Sequence, residues 1–168
     1  MEKMRQWLWV FIGFFMWSCN DGDLEVSEID FDAVALTSCT ADLETTAFFK
    51  LKGDESLILV LQDGILQNVP GEIALDIPLQ SQFYYRFFDS TVSLAYFCNE
   101  IPPATPLVKK EMEATEGTLR ITTVEEDLGA GILEYHHTFV IENLILTNTN
   151  GEQLIDTNFE LGMFTTTN

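Results

Sequence analysis

Residues 46–62 read TAFFKLKGDESLILVLQ. Two short runs rich in apolar and aromatic residues, 46–52 and 56–62, flank Gly53-Asp54-Glu55, and that arrangement reads as two strands joined by a hairpin turn. Outward from this pair the pattern repeats. On the N-terminal side, Glu28-Ile29-Asp30-Phe31-Asp32-Ala33 alternates polar and apolar, the period of a half-buried strand. On the C-terminal side, Asp63-Gly64 and Pro70-Gly71 punctuate the chain, and 72–77 is a short strand closed by Pro78. Residues 82–88 and 91–97 read as another pair across Asp89-Ser90.

The segment Ile101-Pro102-Pro103-Ala104-Thr105-Pro106 must be extended, because proline removes a backbone donor and restricts the residue before it. For 106–115 two readings compete. Thr105 before Pro106 suits a helix start, whereas Val108, Lys110, Met112 and Ala114 alternate with Lys109, Glu111 and Glu113. The alternation favours an edge strand. Gly117 then opens a strand over 118–124, 125–131 reads as an acidic glycine-rich loop, and 132–147 is a long strand or a bent pair. Asn150-Gly151 is the strongest hairpin signal of the chain, followed by strands at 153–155 and 158–164. Roughly nine or ten short strands without a helix predict an all-β fold, an antiparallel β-sandwich of Ig-like or jelly-roll-like topology.

Composition bounds the function. The chain has 168 residues and a formal net charge of −19. Residues 28–168 suit a single domain with a proper core. Such acidity excludes nucleic acid, whose phosphates are neutralised by lysine and arginine, and equally excludes charge-driven binding to an anionic membrane. Divalent cations, basic proteins and neutral glycans remain open as partners, and the charge also keeps an exported protein soluble.

The N-terminus gives an address. Lys3 and Arg5 precede an apolar run from Trp7 to Trp17 that is too short to span a bilayer, and Ser18 then precedes Cys19. Residues 1–18 therefore read as an export signal, and Cys19-Asn20-Asp21-Gly22-Asp23 opens a polar, acidic tether over 19–27. Met16-Trp17-Ser18-Cys19 resembles the lipobox of bacterial lipoproteins, although Trp17 is bulkier than its position usually holds. The acidic run resembles the export signal of Bacteroidetes-type surface lipoproteins. Together with Tyr96-Phe97-Cys98, Ile101-Pro102-Pro103 and Pro106, it also resembles a group of flavobacterial lipoproteins without an established activity. The resemblance implies lipidation at Cys19, anchoring in the outer membrane through that lipid, and exposure at the cell surface. Of the three cysteines, lipidation consumes Cys19 and leaves Cys39 and Cys98, an even pair that reads as one disulfide in an exported chain. Two isolated cysteines make a poor zinc site.

Chemistry is thinly signalled. His136 and His137 are the two histidines, and on a strand they point to opposite faces, so they cannot jointly hold a metal. No metalloprotease or serine-hydrolase motif is present. Glu125, Glu126 and Asp127, ahead of Gly129-Ala130-Gly131, are the best candidates for a calcium loop; no other cofactor is indicated. In Phe83-Tyr84-Tyr85-Arg86-Phe87-Phe88, alternation puts Tyr84, Arg86 and Phe88 on one face, a candidate stacking platform for a sugar ring or a partner protein; the rival is a buried strand with Arg86 reaching a carboxylate. Two functions follow: a non-enzymatic binding or accessory module for a glycan or protein, or a small glycosidase-like hydrolase built from two carboxylates.

Overall fold

A computed structural model of the chain describes residues 29–168. It contains eight strands and one short helix: β1 (Thr37–Ser38), β2 (Ala47–Lys52), β3 (Glu55–Leu61), β4 (Gly71–Ile77), β5 (Ser81–Phe88), α1 (Leu94–Cys98), β6 (Val108–Gly129), β7 (Ile132–Asn148) and β8 (Gln153–Thr167). All eight strands belong to one antiparallel sheet in the order β1-β2-β3-β5-β6-β7-β8, with β4 also paired to β6. The sheet is curled into a half-barrel.

The curl is visible in the core. Phe48 of β2 lies 5.1 Å from Phe139 of β7 and 5.0 Å from Phe164 of β8, ring centre to ring centre, and Phe83 of β5 lies 5.7 Å from Phe159 of β8. In each ring pair the two strands are not neighbours in the sheet, so the inner face closes upon itself. One apolar cluster runs from Ile29 to Phe164 and takes in Leu57, Leu59, Leu119, Ile141, Leu144, Leu146 and Leu161.

The hairpins at 53–54 and 148–152 form where their residues direct them. Gly53 has φ 63° at the first central position of a two-residue turn, the place glycine takes in a hairpin. Gly151, with φ 83°, closes the β7–β8 turn, in which Asn148 Oδ1 accepts from the Asn150 and Glu152 amides.

The strand count falls below the nine or ten expected in part because β6 and β8 run on through their apparent breaks. Gly117, expected to begin a strand, sits inside β6 at φ 152°, where the register with β7 shifts on either side of Glu116. A glycine within a strand marks a bulge as readily as an end. The 106–115 segment is strand, as alternation favoured, but central rather than edge: residues 108–113 pair with β5 and 112–116 with β7. Residues 125–129, expected in a loop, continue β6.

Two segments differ in kind. Residues 91–97 do not pair with β5. That strand already has β3 on one side and β6 on the other, so no ladder position is left. The chain instead turns into α1, where Tyr96 N bonds Ser93 O and Asn99 N bonds Ala95 O. Its rings pack back onto the sheet, Phe97 on Phe49 at 4.5 Å and Tyr96 on Phe88 at 5.2 Å. The 28–33 alternation is not a strand within the described part, Ile29 onward. Ile29 and Phe31 are buried, as their period demands, but the backbone turns and its carbonyls are met by side chains: Lys50 Nζ donates to Phe31 O at 3.0 Å and Lys52 Nζ to Asp30 O at 2.7 Å. Cys39 and Cys98 form a disulfide that ties the segment after β1 to the end of α1.

Candidate functional site

β4 is paired to β6 alone among the described strands, so its second edge is unpaired. β4 and β5 run end to end along one edge of β6, β4 against 117–123 and β5 against 108–113. The 62–70 connection passes beside the open edge of β4 and leaves a cleft of about 570 Å³. Ile65, Leu66, Val69 and Pro70 of the connection form one wall, Ile73 and Leu75 of β4 the other, and Ile121 and Thr123 of β6 the floor. The floor belongs to the inner face of the sheet, so the cleft is the open mouth of the half-barrel. Val69 is 62 % exposed and Ile73 43 %. Ile73 shares its strand face with the buried Leu75 and Ile77, and its exposure reflects the missing neighbour rather than a break in the pattern. Glu72, also lining the cleft, is held by Arg120, whose guanidinium bridges Glu72 at 2.7 Å and Glu142 at 2.7 Å.

Behind the floor lies a buried polar chain. Thr123 Oγ1 is 3.0 Å from His137 Nδ1, His137 Nε2 is 3.0 Å from Thr166 Oγ1, and Thr166 donates to Asn68 Oδ1 at 2.5 Å. Because the Thr166 hydroxyl gives its hydrogen to Asn68, it accepts from Nε2–H; Nδ1 then accepts from Thr123. That is the neutral imidazole, in agreement with burial, and secondarily His136, holding His137 below the ordinary histidine range. The chain fixes the cleft-forming connection to β6, β7 and β8 together.

The two histidines part as strand alternation requires. His136 faces outward, where Nε2 lies 3.0 Å from Glu126 Oε2 and 3.2 Å from Glu134 Oε1, and Nδ1 lies 3.3 Å from Thr165 Oγ1. Glu126 and Glu134 are direct partners across β6 and β7, and His136 is two residues beyond Glu134 on the same face. These are the described residues whose donor atoms stand close enough to share a cation.

The expected calcium loop does not form. Glu125, Glu126 and Asp127 are consecutive strand residues, so Glu126 points to the face opposite its two neighbours, and Asp127 instead accepts from the Gly129 amide. The group that does assemble exchanges Glu125 and Asp127 for Glu134 and His136. Sequence could have shown it: Glu134 and His136 share a face by alternation, and folding the hairpin about 129–132 lays Glu126 beside them. The stacking platform does not assemble either. Phe88 stays on the Tyr84 and Arg86 face, but Tyr96 and Phe97 of α1 cover it and leave it 3 % exposed. Tyr84 and Arg86 remain outside, the guanidinium 5.5 Å from the Tyr84 ring and paired with Glu111. Cys19, the 1–18 signal and the 19–27 tether lie outside the described residues.

Comparison with protein families, with curated proteins and with solved structures finds no match to this chain.

Proposed function

We propose that this chain is an exported binding module, held at the outer membrane by lipid on Cys19, whose half-barrel mouth takes a small apolar ligand. The observation that carries the reading is the cleft beside β4. Its volume, about 570 Å³, falls in the range of small-ligand pockets, and its walls are mostly aliphatic. Val69 and Ile73 stand exposed in it although the rest of the inner face is packed. A net charge of −19 disfavours an anionic ligand, so the polar end of the bound molecule is neutral or cationic. The hydrolase reading would want two carboxylates flanking a concave site. Glu72 is the one carboxylate residue lining this cleft, and Arg120 already engages it, which favours binding over carboxylate chemistry.

The test is fluorescence titration with Nile red, a neutral apolar dye. Binding is expected to wild type and to fall at least tenfold in Val69→Asp and Ile73→Asp, both exposed enough to leave folding intact. Equal affinity in both variants would remove the cleft from consideration.

A further inference from the structure

We propose that Glu126, Glu134 and His136 form a binding site for a late first-row divalent cation, zinc above all, on the outer face of the β6–β7 hairpin. Three observations converge on it. The first is spacing. In a tetrahedral zinc site with bonds of about 2.0–2.2 Å, neighbouring donor atoms stand about 3.3–3.6 Å apart. The imidazole Nε2 already lies 3.0 Å from one carboxylate oxygen and 3.2 Å from the other, so a cation entering between them needs only small outward shifts.

The second is charge. Glu126 and Glu134 are directly opposed across two strands, a placement that like charges make unfavourable. Elsewhere on this face the sheet handles the same problem with a permanent cation, Arg120 standing between Glu72 and Glu142. Glu126 and Glu134 have no lysine or arginine among their described ion-pair partners; their one partner is His136. A divalent cation would neutralise both carboxylates and accept the imidazole lone pair at once.

The third is the support behind the ring. Thr165, opposite His136 on β8, meets Nδ1 with a hydroxyl at 3.3 Å. With Nε2–H facing the carboxylates, Nδ1 can accept from Thr165. With metal on Nε2, the proton moves to Nδ1 and the hydroxyl rotates to accept it. The same residue therefore holds the ring in either state.

The donor set selects the ion. One imidazole and two carboxylates suit zinc and its neighbours, whereas calcium wants six to eight oxygens and gains nothing from a nitrogen. Three protein ligands leave a fourth position for water or an outside donor. The site stands on the opposite face of the sheet from the apolar cleft and does not depend on it.

The experiment is calorimetric titration of the full, untagged chain in detergent with zinc chloride, repeated with calcium chloride, and with cobalt to read visible ligand-field absorption. One zinc per chain is expected, with calcium producing no comparable binding. His136→Ala is expected to abolish that event and the cobalt band, Glu126→Gln to weaken zinc at least tenfold, and Thr165→Val to weaken it about tenfold by releasing the ring. Should His136→Ala fail to fold by circular dichroism, Glu126→Gln carries the reading, since that carboxylate is the most exposed of the three. Absence of zinc binding, zinc binding undiminished in the substituted chains, or calcium binding as tightly as zinc would each overturn the proposal.

Discussion

Lys50 shows what single residues reveal here. It lies on β2 at 4 % exposure, yet it carries an ammonium group. Its Nζ bonds Phe31 O, and burial holds its pKa below the ordinary lysine value, only partly offset by Asp32. The folded chain therefore gives up this proton before the unfolded chain does. Wherever the unfolded state binds more protons, stability rises with pH, so wild type gains stability as pH climbs from the lowered folded-state pKa toward the ordinary lysine range. The gain ends near pH ~10, where the unfolded chain's tyrosines ionise while Tyr85, buried and bonded to Glu55, stays protonated and so reverses the slope. Removing the charge is also tolerable for its partner, because Phe31 O keeps a second bond from Val34 N at 3.0 Å. Lys50→Met is expected to be about 1 kcal/mol more stable than wild type at neutral pH and to lose the rise toward pH ~9.5, both read from urea midpoints. A clear loss of stability at neutral pH would show that the bond to Phe31 outweighs the cost of the buried charge.

At the scale of elements, the lesson lies in what alternation reports and what it leaves open. Alternation reported the buried face correctly at Met112 and Ala114 of β6, because apolar side chains must enter the core whatever the ladder does; it even marked Ile29 and Phe31, which are buried without any strand. It could not report register. Register decides that 91–97 has no partner strand and that the helix it becomes covers Phe88. Those outcomes depend on bulges and on turns far along the chain, so residue type alone did not disclose them. The corner of β6 and β7 is the clearest case. There Gly117 has φ 152° and Asn143 has φ 52°, and the two long strands pass from the β5 side to the β4 side of the sheet. A Cβ at Gly117 would stand 3.2 Å from Ile141 Cγ2, a fully buried neighbour with little room to move. Gly117→Ala is expected to cost about 1–3 kcal/mol through backbone strain and crowding, read as a lower denaturant midpoint with an unchanged slope. The same substitution at Gly53 meets open space, so its cost is confined to φ strain, and Gly117→Ala should be the more damaging of the two.

For the whole molecule, the proposed anchoring raises the question of how a strongly acidic domain would stay at a membrane surface. No helix among the described residues is long and apolar enough to cross a bilayer. Ionic attraction is no help, because a chain of net charge −19 is repelled by anionic headgroups. The fold is instead braced near its N-terminal end, where a lipid tether would join it. Lys50 and Lys52 fasten the segment from Ile29 to Leu36, and the Cys39–Cys98 disulfide locks the following turn to α1 across a separation of 59 residues. On the chain-entropy model such a loop closure stabilises the fold by roughly 4 kcal/mol. Lipid on Cys19 would supply the anchoring energy at about 0.8 kcal/mol per buried methylene, which makes two or more acyl chains sufficient without any spanning segment. Cys19→Ala is therefore expected to abolish palmitate labelling and to shift the protein out of the membrane fraction, while the 39–98 disulfide, assayed by the mass change on reduction, stays intact. Retained labelling in that variant would place the acyl group elsewhere. Lost labelling with full membrane retention would mean that a protein partner, rather than lipid, holds the domain in place.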